Sequence, residues 1–267
     1  MLNQETIRSM KLFLFDMDGT LYLGDELFDF TIPLLRRIRE TGGRYLFMTN
    51  NSSKSVEDYI RKLQKMGIPA DREDFITSAQ ATAWYLLRHH ADKPLYVCGT
   101  ASFKEELRLA GLTVTEDADR AECIVMGFDT ELTFQKRWDI SRLLRTRDSP
   151  YIATNPDYVC PTEFGSVPDC GSVCDMIYNA TKKRPLGIGK PEALMPKLAM
   201  EKVGVKPEET AVIGDRIYTD VKSGLNAGAL AVLVMSGETT YEILEASEDK
   251  PHLVLKDVSE ITEALKN

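Results

Sequence analysis

The stretch LFLFDMDGTLY (12–22) joins an apolar run to two carboxylates that follow it directly. The run LFLF by itself predicts a short buried strand. Asp16 and Asp18 then stand two residues apart, so their side chains share one side while the chain stays extended, and Gly19 lets the backbone turn away. Two like charges this close repel unless a cation neutralises them. The stretch therefore predicts a buried strand that ends at a cation site.

The bulk composition indicates an ordinary soluble globular protein. The chain has 267 residues, of which 43% are hydrophobic and 28% charged, close to the usual proportions. A net charge of −8 argues against a nucleic-acid or anionic-membrane partner, whereas a small anionic ligand stays compatible because a metal ion can reverse the sign within one pocket. No apolar run approaches the length of about 18 residues that predicts a membrane span.

Cysteine usage and the N-terminal residues predict a cytoplasmic location. Asp16 interrupts the first apolar run before it is long enough for a signal peptide. The chain has five cysteines, an odd number in a chain of this size, which favours reduced thiols over a disulfide framework. Cys160, Cys170 and Cys174 cluster in sequence, but they lack the C-x-x-C pair of most structural zinc sites.

Apolar, strand-like runs alternate with helix-like segments along most of the chain. The predicted strands are KLFLF (11–15), RYLFMT (44–49), PLYVCG (94–99), ECIVMG (122–127), PYIATN (150–155), TAVIG (210–214) and ALAVLV (229–234). Helices are predicted around 31–41, after a cap at Ser52 or Ser55, at 102–110, 133–146 and 172–183, between Pro191 and Gly204, and over 220–228.

This alternation predicts an α/β fold with a doubly wound, Rossmann-like parallel sheet. The middle third repeats the alternation by itself, and no Gly/Ser linker separates it from the rest. We therefore expect an inserted α/β domain over 79–184, with 1–78 and 185–267 forming the core.

Polar side chains follow several of the predicted strands. Thr49 and Asn50 end the second strand, Asp215 follows TAVIG, and Asp220 comes five residues later. Lys190, in GIGKP, stands at a predicted helix entrance. Each could be a turn, a helix cap or a surface lysine when taken alone. Their joint occurrence at the carboxyl ends of parallel strands, where ligands bind in such sheets, instead predicts one functional site.

The residue types fit phosphoryl transfer. Asp16, Asp18 and Asp215 offer the hard oxygen ligands that Mg²⁺ prefers. One carboxylate beside the ion can attack phosphorus and form an aspartyl-phosphate, and a second can protonate the leaving oxygen and later deprotonate a water. Lys190 and the donors around Thr49 match the charge that spreads over the phosphoryl oxygens.

Four ordered motifs resemble those of the haloacid dehalogenase superfamily of phosphatases. They are DMDGT (16–20), TNN (49–51), GKP (189–191) and GDRIYTD (214–220). The long interval between the second and third motifs is similar to the subfamily with a cap domain inserted there. Within it, the run ATNPD (153–157) resembles the NagD-like phosphatases.

The resemblance implies a role for each matched residue. It makes Asp16 the nucleophile and Asp18 the general acid and base. Asp215 would complete a Mg²⁺ site with the Asp16 carboxylate and the backbone carbonyl of Asp18. The other implied roles are phosphoryl binding by Thr49, Asn50 and Lys190, orientation of the metal's waters or of Lys190 by Asp220, and pocket lining by Arg216 and Thr219.

The function expected from these motifs is Mg²⁺-dependent hydrolysis of a small phosphomonoester. The resemblance suggests a nucleotide, a sugar phosphate or phosphoglycolate as substrate. A phosphomutase would share the nucleophile and the acid/base, and a catalytically silent binding protein would be expected to have lost at least one motif residue, which is not the case here.

The inserted domain is expected to set specificity, because a cap must close over the leaving group to exclude water. Within it, 160–172 is a candidate substrate-facing loop or a plain surface connection. A homodimer formed through the cap is a further alternative that the sequence leaves open.

Overall fold

The computed structural model describes residues 4–162 and 164–266. The strands are β1 Leu12–Phe15, β2 Tyr22–Leu23, β3 Glu26–Leu27, β4 Arg44–Thr49, β5 Phe75–Thr77, β6 Leu95–Cys98, β7 Val114–Thr115, β8 Cys123–Met126, β9 Tyr151–Ala153, β10 Val159–Thr162, β11 Gly165–Pro168, β12 Leu186–Gly187, β13 Thr210–Gly214, β14 Leu230–Val234 and β15 Leu253–Leu255. The helices are α1 Gln4–Arg8, α2 Thr31–Glu40, α3 Val56–Lys65, α4 Ser78–His89, α5 Ala101–Leu109, α6 Phe134–Thr146, α7 Cys170–Thr181, α8 Leu194–Val203, α9 Lys222–Ala227, α10 Tyr241–Ala246 and α11 Ser259–Ala264.

The main sheet has β1 near its centre. Its strand order is β15-β14-β13-β1-β4-β5, and β1 pairs in parallel with both β13 and β4. All four residues of β1 are buried, as expected for a parallel strand that is covered on both faces. Phe15 pairs with Ile213 on one side and with Phe47 on the other. The residues that follow these three strands therefore meet at one edge of the sheet.

A second parallel sheet has the order β12-β9-β8-β6-β7. Its strands pack against α6 and α7 in a core that includes Ile124, Met126, Leu143 and Ile177. The two sheets, flanked by helices, confirm the predicted α/β fold class.

The described chain divides into two compact units. The first comprises 4–49, 60–76 and 190–266, and the second comprises 50–59 and 77–189. The second unit extends past the predicted limit at 184 because β12 pairs with β9 and because the Gly189 N–H donates to the Thr154 carbonyl (2.7 Å).

Two local predictions are wrong. Pro191 does not open α8, which begins at Leu194, and the Pro191 carbonyl instead accepts a hydrogen bond from the Asn226 amide (2.9 Å). Lys190 therefore precedes a turn and does not stand at a helix entrance.

The segment 160–172 is not an open loop. β10 and β11 form an antiparallel hairpin within it, with Gly165 at a φ of +133°, which a side chain would strain. α7 begins at Cys170. Glu163, between the two strands, lies outside the described residues.

The alternatives for the cap of α3 resolve in favour of Ser55. The Asp58 N–H donates to the Ser55 hydroxyl (3.3 Å), which is the bond expected of an N-cap. The Ser52 hydroxyl instead accepts from the Phe128 N–H (2.9 Å).

All five cysteines are free thiols, as predicted. Among the described residues, none of the helices combines the length and the apolar character needed to span a bilayer.

Candidate active site

The carboxyl edge of the main sheet brings four of the predicted residues together. Asp16 follows β1, Asp215 follows β13, and Asp220 lies in the π-helical turn Ile217–Val221. Lys190 reaches the same place from the segment between β12 and α8. Asp16, Asp215 and Asp220 each offer a carboxylate oxygen, and these oxygens lie within 4.8 Å of one another. The motif spacing thus corresponds to a single cluster.

Lys190 is the cation at the centre of this cluster. Its Nζ lies 2.6 Å from Asp16 Oδ1 and 2.6 Å from Asp220 Oδ1, and it donates to the Met48 carbonyl (3.2 Å). The lysine is only 2% exposed. The ammonium thus has three oxygen acceptors and no need of water, which is the condition under which a buried charge is tolerated.

Burial and crowding shift the proton affinities of the cluster. Burial raises the pKa of Asp16 to about 7; Lys190 opposes this shift, while Asp220 and Asp215 add to it. Burial and the charge of Asp220 raise the pKa of Asp215 to about 6. Burial alone would lower the pKa of Lys190, but Asp16 and Asp220 hold it above its ordinary value. Three carboxylates against one ammonium leave an excess of negative charge, which favours a further cation.

Backbone and hydroxyl donors hold the Asp215 carboxylate. Its Oδ2 accepts from the Glu238 N–H (2.7 Å) and its Oδ1 from the Thr20 hydroxyl (3.4 Å). Gly19, at a φ of +82°, and Gly237 both lie so close that a Cβ on either would overlap this carboxylate. Glycine is therefore required at both positions for the close approach of the backbone.

The cluster fits a divalent cation of the hard, oxygen-preferring kind. Within the described residues, Asp16 Oδ1 is hydrogen-bonded to Lys190, whereas no protein donor reaches Asp16 Oδ2. Both oxygens of Asp220 are engaged, by Lys190 and by the Arg216 N–H (3.1 Å). Asp16 is thus better placed than Asp220 to give an oxygen to a metal. In the described part of the chain, the Asp215 oxygens accept only from neutral donors, the Glu238 N–H and, at 3.4 Å, the Thr20 hydroxyl, whereas Asp220 is held by an ammonium.

Two predicted residues lie at the same edge with different surroundings. The Asp18 side chain is exposed, outside the carboxylate cluster, and accepts from the Gly24 N–H (3.3 Å). The predicted metal contact of Asp18 is its backbone carbonyl. The distances given above for the cluster join carboxylate oxygens and so do not test this contact. Thr49 is buried at the end of β4.

Three further predicted residues have partners or positions that the motifs do not reveal. The Asn50 amide donates to Asp157 Oδ2 (2.8 Å) within the second unit, where Asp157 also accepts from Asn155 (2.8 Å). The Arg216 guanidinium pairs with Glu238 (2.8 Å). Thr219 is buried in the π-helical turn. Phosphate contacts of these side chains stay a prediction.

One segment of the site was missed from the sequence. Residues 236–239 follow β14, and besides the Glu238 contact they supply a hydroxyl from Ser236 to the Gly19 carbonyl (2.7 Å) and an N–H from Thr239 to the Asp215 carbonyl (3.2 Å). The signal was available, because SGETT follows the strand ALAVLV just as the motif residues follow theirs. The segment acts mainly through its backbone, which carries no sequence motif.

Comparisons with known proteins identify the family of the chain. A family model for haloacid dehalogenase-like hydrolases matches residues 13–113, and a second, HAD-hydrolase-like model matches 187–261. The chain is 33% identical to an acid sugar phosphatase of Staphylococcus haemolyticus over 98% of this chain and 99% of the relative. It is 32% identical to the 5′-nucleotidase YutF of Bacillus subtilis over 95% and 98%.

Solved structures show the same similarity. A 4-nitrophenylphosphatase from Thermotoga maritima superposes with a TM-score of 0.93 at 39% identity, covering 98% of this chain and 99% of that one. A structure described as a putative nagD protein gives a TM-score of 0.89 at 37% identity, with the same coverage.

The chain therefore belongs to the haloacid dehalogenase-like hydrolases, as a member of the NagD-like type. It is a hydrolase of the phosphomonoesterase class. The resemblance inferred from the four motifs is confirmed.

Proposed function

We propose that the chain is a Mg²⁺-dependent phosphatase that hydrolyses small phosphorylated metabolites in the cytoplasm through an aspartyl-phosphate on Asp16. The observation that carries the proposal is the cluster of Asp16, Asp215 and Asp220 around the buried Lys190. A parallel sheet needs no such set of charges for its stability, whereas phosphoryl transfer needs a nucleophile, a cation and an oxygen-ligand set in one place.

Asp16 is the proposed nucleophile. Its carboxylate forms the new bond to phosphorus as the bond between phosphorus and the leaving oxygen breaks. Lys190 holds Oδ1 at 2.6 Å, which fixes the carboxylate orientation before the reaction. The positive charge of the ammonium, beside the attacking carboxylate, offsets the negative charge that the phosphoryl oxygens gain.

Asp18 is the proposed general acid and base. Its carboxylic acid gives a proton to the leaving oxygen, so that a neutral alcohol departs. The resulting carboxylate then takes a proton from a water, whose oxygen attacks phosphorus and releases phosphate and the free Asp16 carboxylate. The proton that Asp18 gives in the first step is regained from the attacking water in the second, so the acid returns to its starting state without a further proton donor.

Mg²⁺ is the proposed metal, held by the carboxylates of Asp16 and Asp215 and the backbone carbonyl of Asp18. When bound, it would offset the excess negative charge and polarise the phosphoryl oxygens. Asp220 orients Lys190 through their 2.6 Å contact. Thr49, Asn50, Arg216 and Thr219 are the remaining proposed phosphate-pocket residues.

The proposed substrate is one of the three types that the resemblance suggests, namely a nucleotide, a sugar phosphate or phosphoglycolate. A relative named an acid sugar phosphatase and one named a 5′-nucleotidase are nearly equal in identity to this chain, so similarity alone does not favour sugar phosphates over nucleotides.

The test is phosphate release from a panel of sugar phosphates, nucleoside monophosphates, phosphoglycolate and 4-nitrophenyl phosphate, with Mg²⁺ and with chelator. Asp16→Asn keeps the shape of the side chain and removes the nucleophile. The proposal expects release that requires both the metal and Asp16. A loss of four decades in the variant would correspond to about 5.4 kcal/mol of transition-state stabilisation.

Two outcomes would contradict the proposal. Near-normal activity of Asp16→Asn would exclude the aspartyl-phosphate route. Absence of phosphate release, together with isomerisation of a sugar phosphate that needs a bisphosphate activator, would indicate a phosphomutase instead.

A further inference from the structure

The side chain of Glu238 connects the two loops that carry the Asp215 site. One carboxylate oxygen pairs with the Arg216 guanidinium (Nε to Oε2, 2.8 Å), and the other accepts from the Tyr218 hydroxyl (3.0 Å). Arg216 and Tyr218 lie on the loop after β13, and Glu238 lies on the segment after β14. We call these three residues the Glu238 clamp.

The backbone of the same glutamate touches the proposed metal ligand. The Glu238 N–H donates to Asp215 Oδ2 (2.7 Å), and the Arg216 N–H donates to Asp220 Oδ2 (3.1 Å). The clamp therefore joins, side chain to side chain, two residues whose main chains fix two carboxylates of the cluster. A shift of either loop would move a donor away from its carboxylate.

We propose that the Glu238 clamp positions Asp215 for metal binding, so that Arg216 and Tyr218 support the ion without touching it. The inference rests on the proposed metal site. Partners that orient metal ligands commonly change metal affinity by about 10- to 100-fold when removed. The Arg216 side chain is 21% exposed and that of Glu238 is 38% exposed, so we expect an effect at the lower end of this range.

Arg216 allows positioning to be separated from simple electrostatics. Removing a positive charge near a cation site strengthens cation binding if charge alone matters. Removing the clamp instead weakens it, because Glu238 loses its fixed position over Asp215. Arg216→Gln therefore gives opposite results under the two explanations, whereas a change at Glu238 would weaken binding under both.

The experiment is calorimetric titration of the metal-free full chain with Mg²⁺ in the absence of substrate. We expect Arg216→Gln to bind Mg²⁺ about 10-fold more weakly than the wild type. Tyr218→Phe, which changes no charge, should weaken binding by a smaller factor, and Arg216→Lys should recover part of the affinity. Glu245→Gln removes an exposed carboxylate on α10 and serves as the control with unchanged affinity.

Each outcome decides between the explanations. Equal or tighter binding by Arg216→Gln overturns the clamp while the metal site stands. If Arg216→Gln does not fold, unchanged affinity in Tyr218→Phe overturns the clamp in its place. A wild type that binds no Mg²⁺ overturns the proposed metal site and the clamp together, so the two failures are distinguishable.

Discussion

Replacing Lys190 by methionine tests whether the lysine ammonium stabilises the buried carboxylates of the cluster. Methionine approximates the length of the aliphatic stem but removes the ammonium that contacts Asp16 and Asp220. The Asp220 side chain, 1% exposed, would then remain as a buried charge without its counterion. Breaking one partner of a buried ion pair costs about 3–5 kcal/mol, so Lys190→Met should lose that much of its free energy of unfolding.

The double variant Lys190→Met/Asp220→Asn should recover much of this loss. Asparagine removes the uncompensated charge that the single Lys190 variant creates, so the two substitutions should not be additive. We expect a coupling energy of about 2–3 kcal/mol, at the upper end of the range for residues in contact. Urea unfolding in the presence of chelator measures the four proteins of this cycle without a contribution from metal.

Lys197→Met provides the matched control, because Lys197 is an exposed lysine on α8. A surface substitution of this kind should change the free energy of unfolding by no more than about 0.5 kcal/mol. The reasoning would be refuted if Lys190→Met were as stable as Lys197→Met, or if the effects of Lys190→Met and Asp220→Asn simply added.

Three further predictions concern pH, thiols and assembly. The pKa of Asp16 is raised to about 7 in the fold from an unfolded value near 3.8, so its stabilising contribution is full below about pH 4 and is lost as the pH rises to about 7. Urea unfolding in chelator at a series of pH values should show that Asp16 adds up to about 1.4 kcal/mol per pH unit to the decline of the wild type. Asp16→Asn should show a smaller decline, because only Asp215 among the described carboxylates, with its pKa raised to about 6, then contributes. Thiol titration should give one fast cysteine, the half-buried Cys160, and a fast phase that survives in Cys160→Ser would contradict this. Phe134 and Trp138 are exposed on α6, so we expect the homodimer that the sequence leaves open to form through this face. Sedimentation should show a dimer that Trp138→Glu dissociates, and a monomeric wild type would contradict this expectation.

Much of the fold could be predicted because parallel strands buried on both faces have continuous apolar runs. RYLFMT and TAVIG match β4 and β13 residue for residue. The edge strands were missed for the opposite reason. β7 and β12 have two residues each, too few for a hydrophobic period, and their positions depend on pairing with neighbours distant in sequence.

The hairpin of β10 and β11 shows a different limit of sequence reasoning. Its Pro, Gly and Ser content predicts a loop when each residue is considered alone. The register that pairs Val159 with Pro168 and Thr162 with Gly165 depends on a turn whose geometry the composition does not specify. The predicted start of α8 is wrong for a similar reason. Pro191 fits the first turn of a helix by propensity, yet its carbonyl accepts a hydrogen bond from the Asn226 amide.

In the site, the groups that could be predicted are side chains and the groups that were missed are backbone donors. Asp16, Lys190 and Asp215 could be found because their chemistry resides in side chains that a strand does not need. The donors that hold them were missed, since an N–H from Glu238 has no side-chain motif in the sequence. Gly237 shows how the two are connected, because its missing Cβ leaves room for the Asp215 carboxylate. In the sequence this glycine looks like a turn residue, but the structure requires it because of an aspartate more than twenty residues earlier. A rule that inspected every strand end for glycine as well as for acids would therefore have found the segment 236–239.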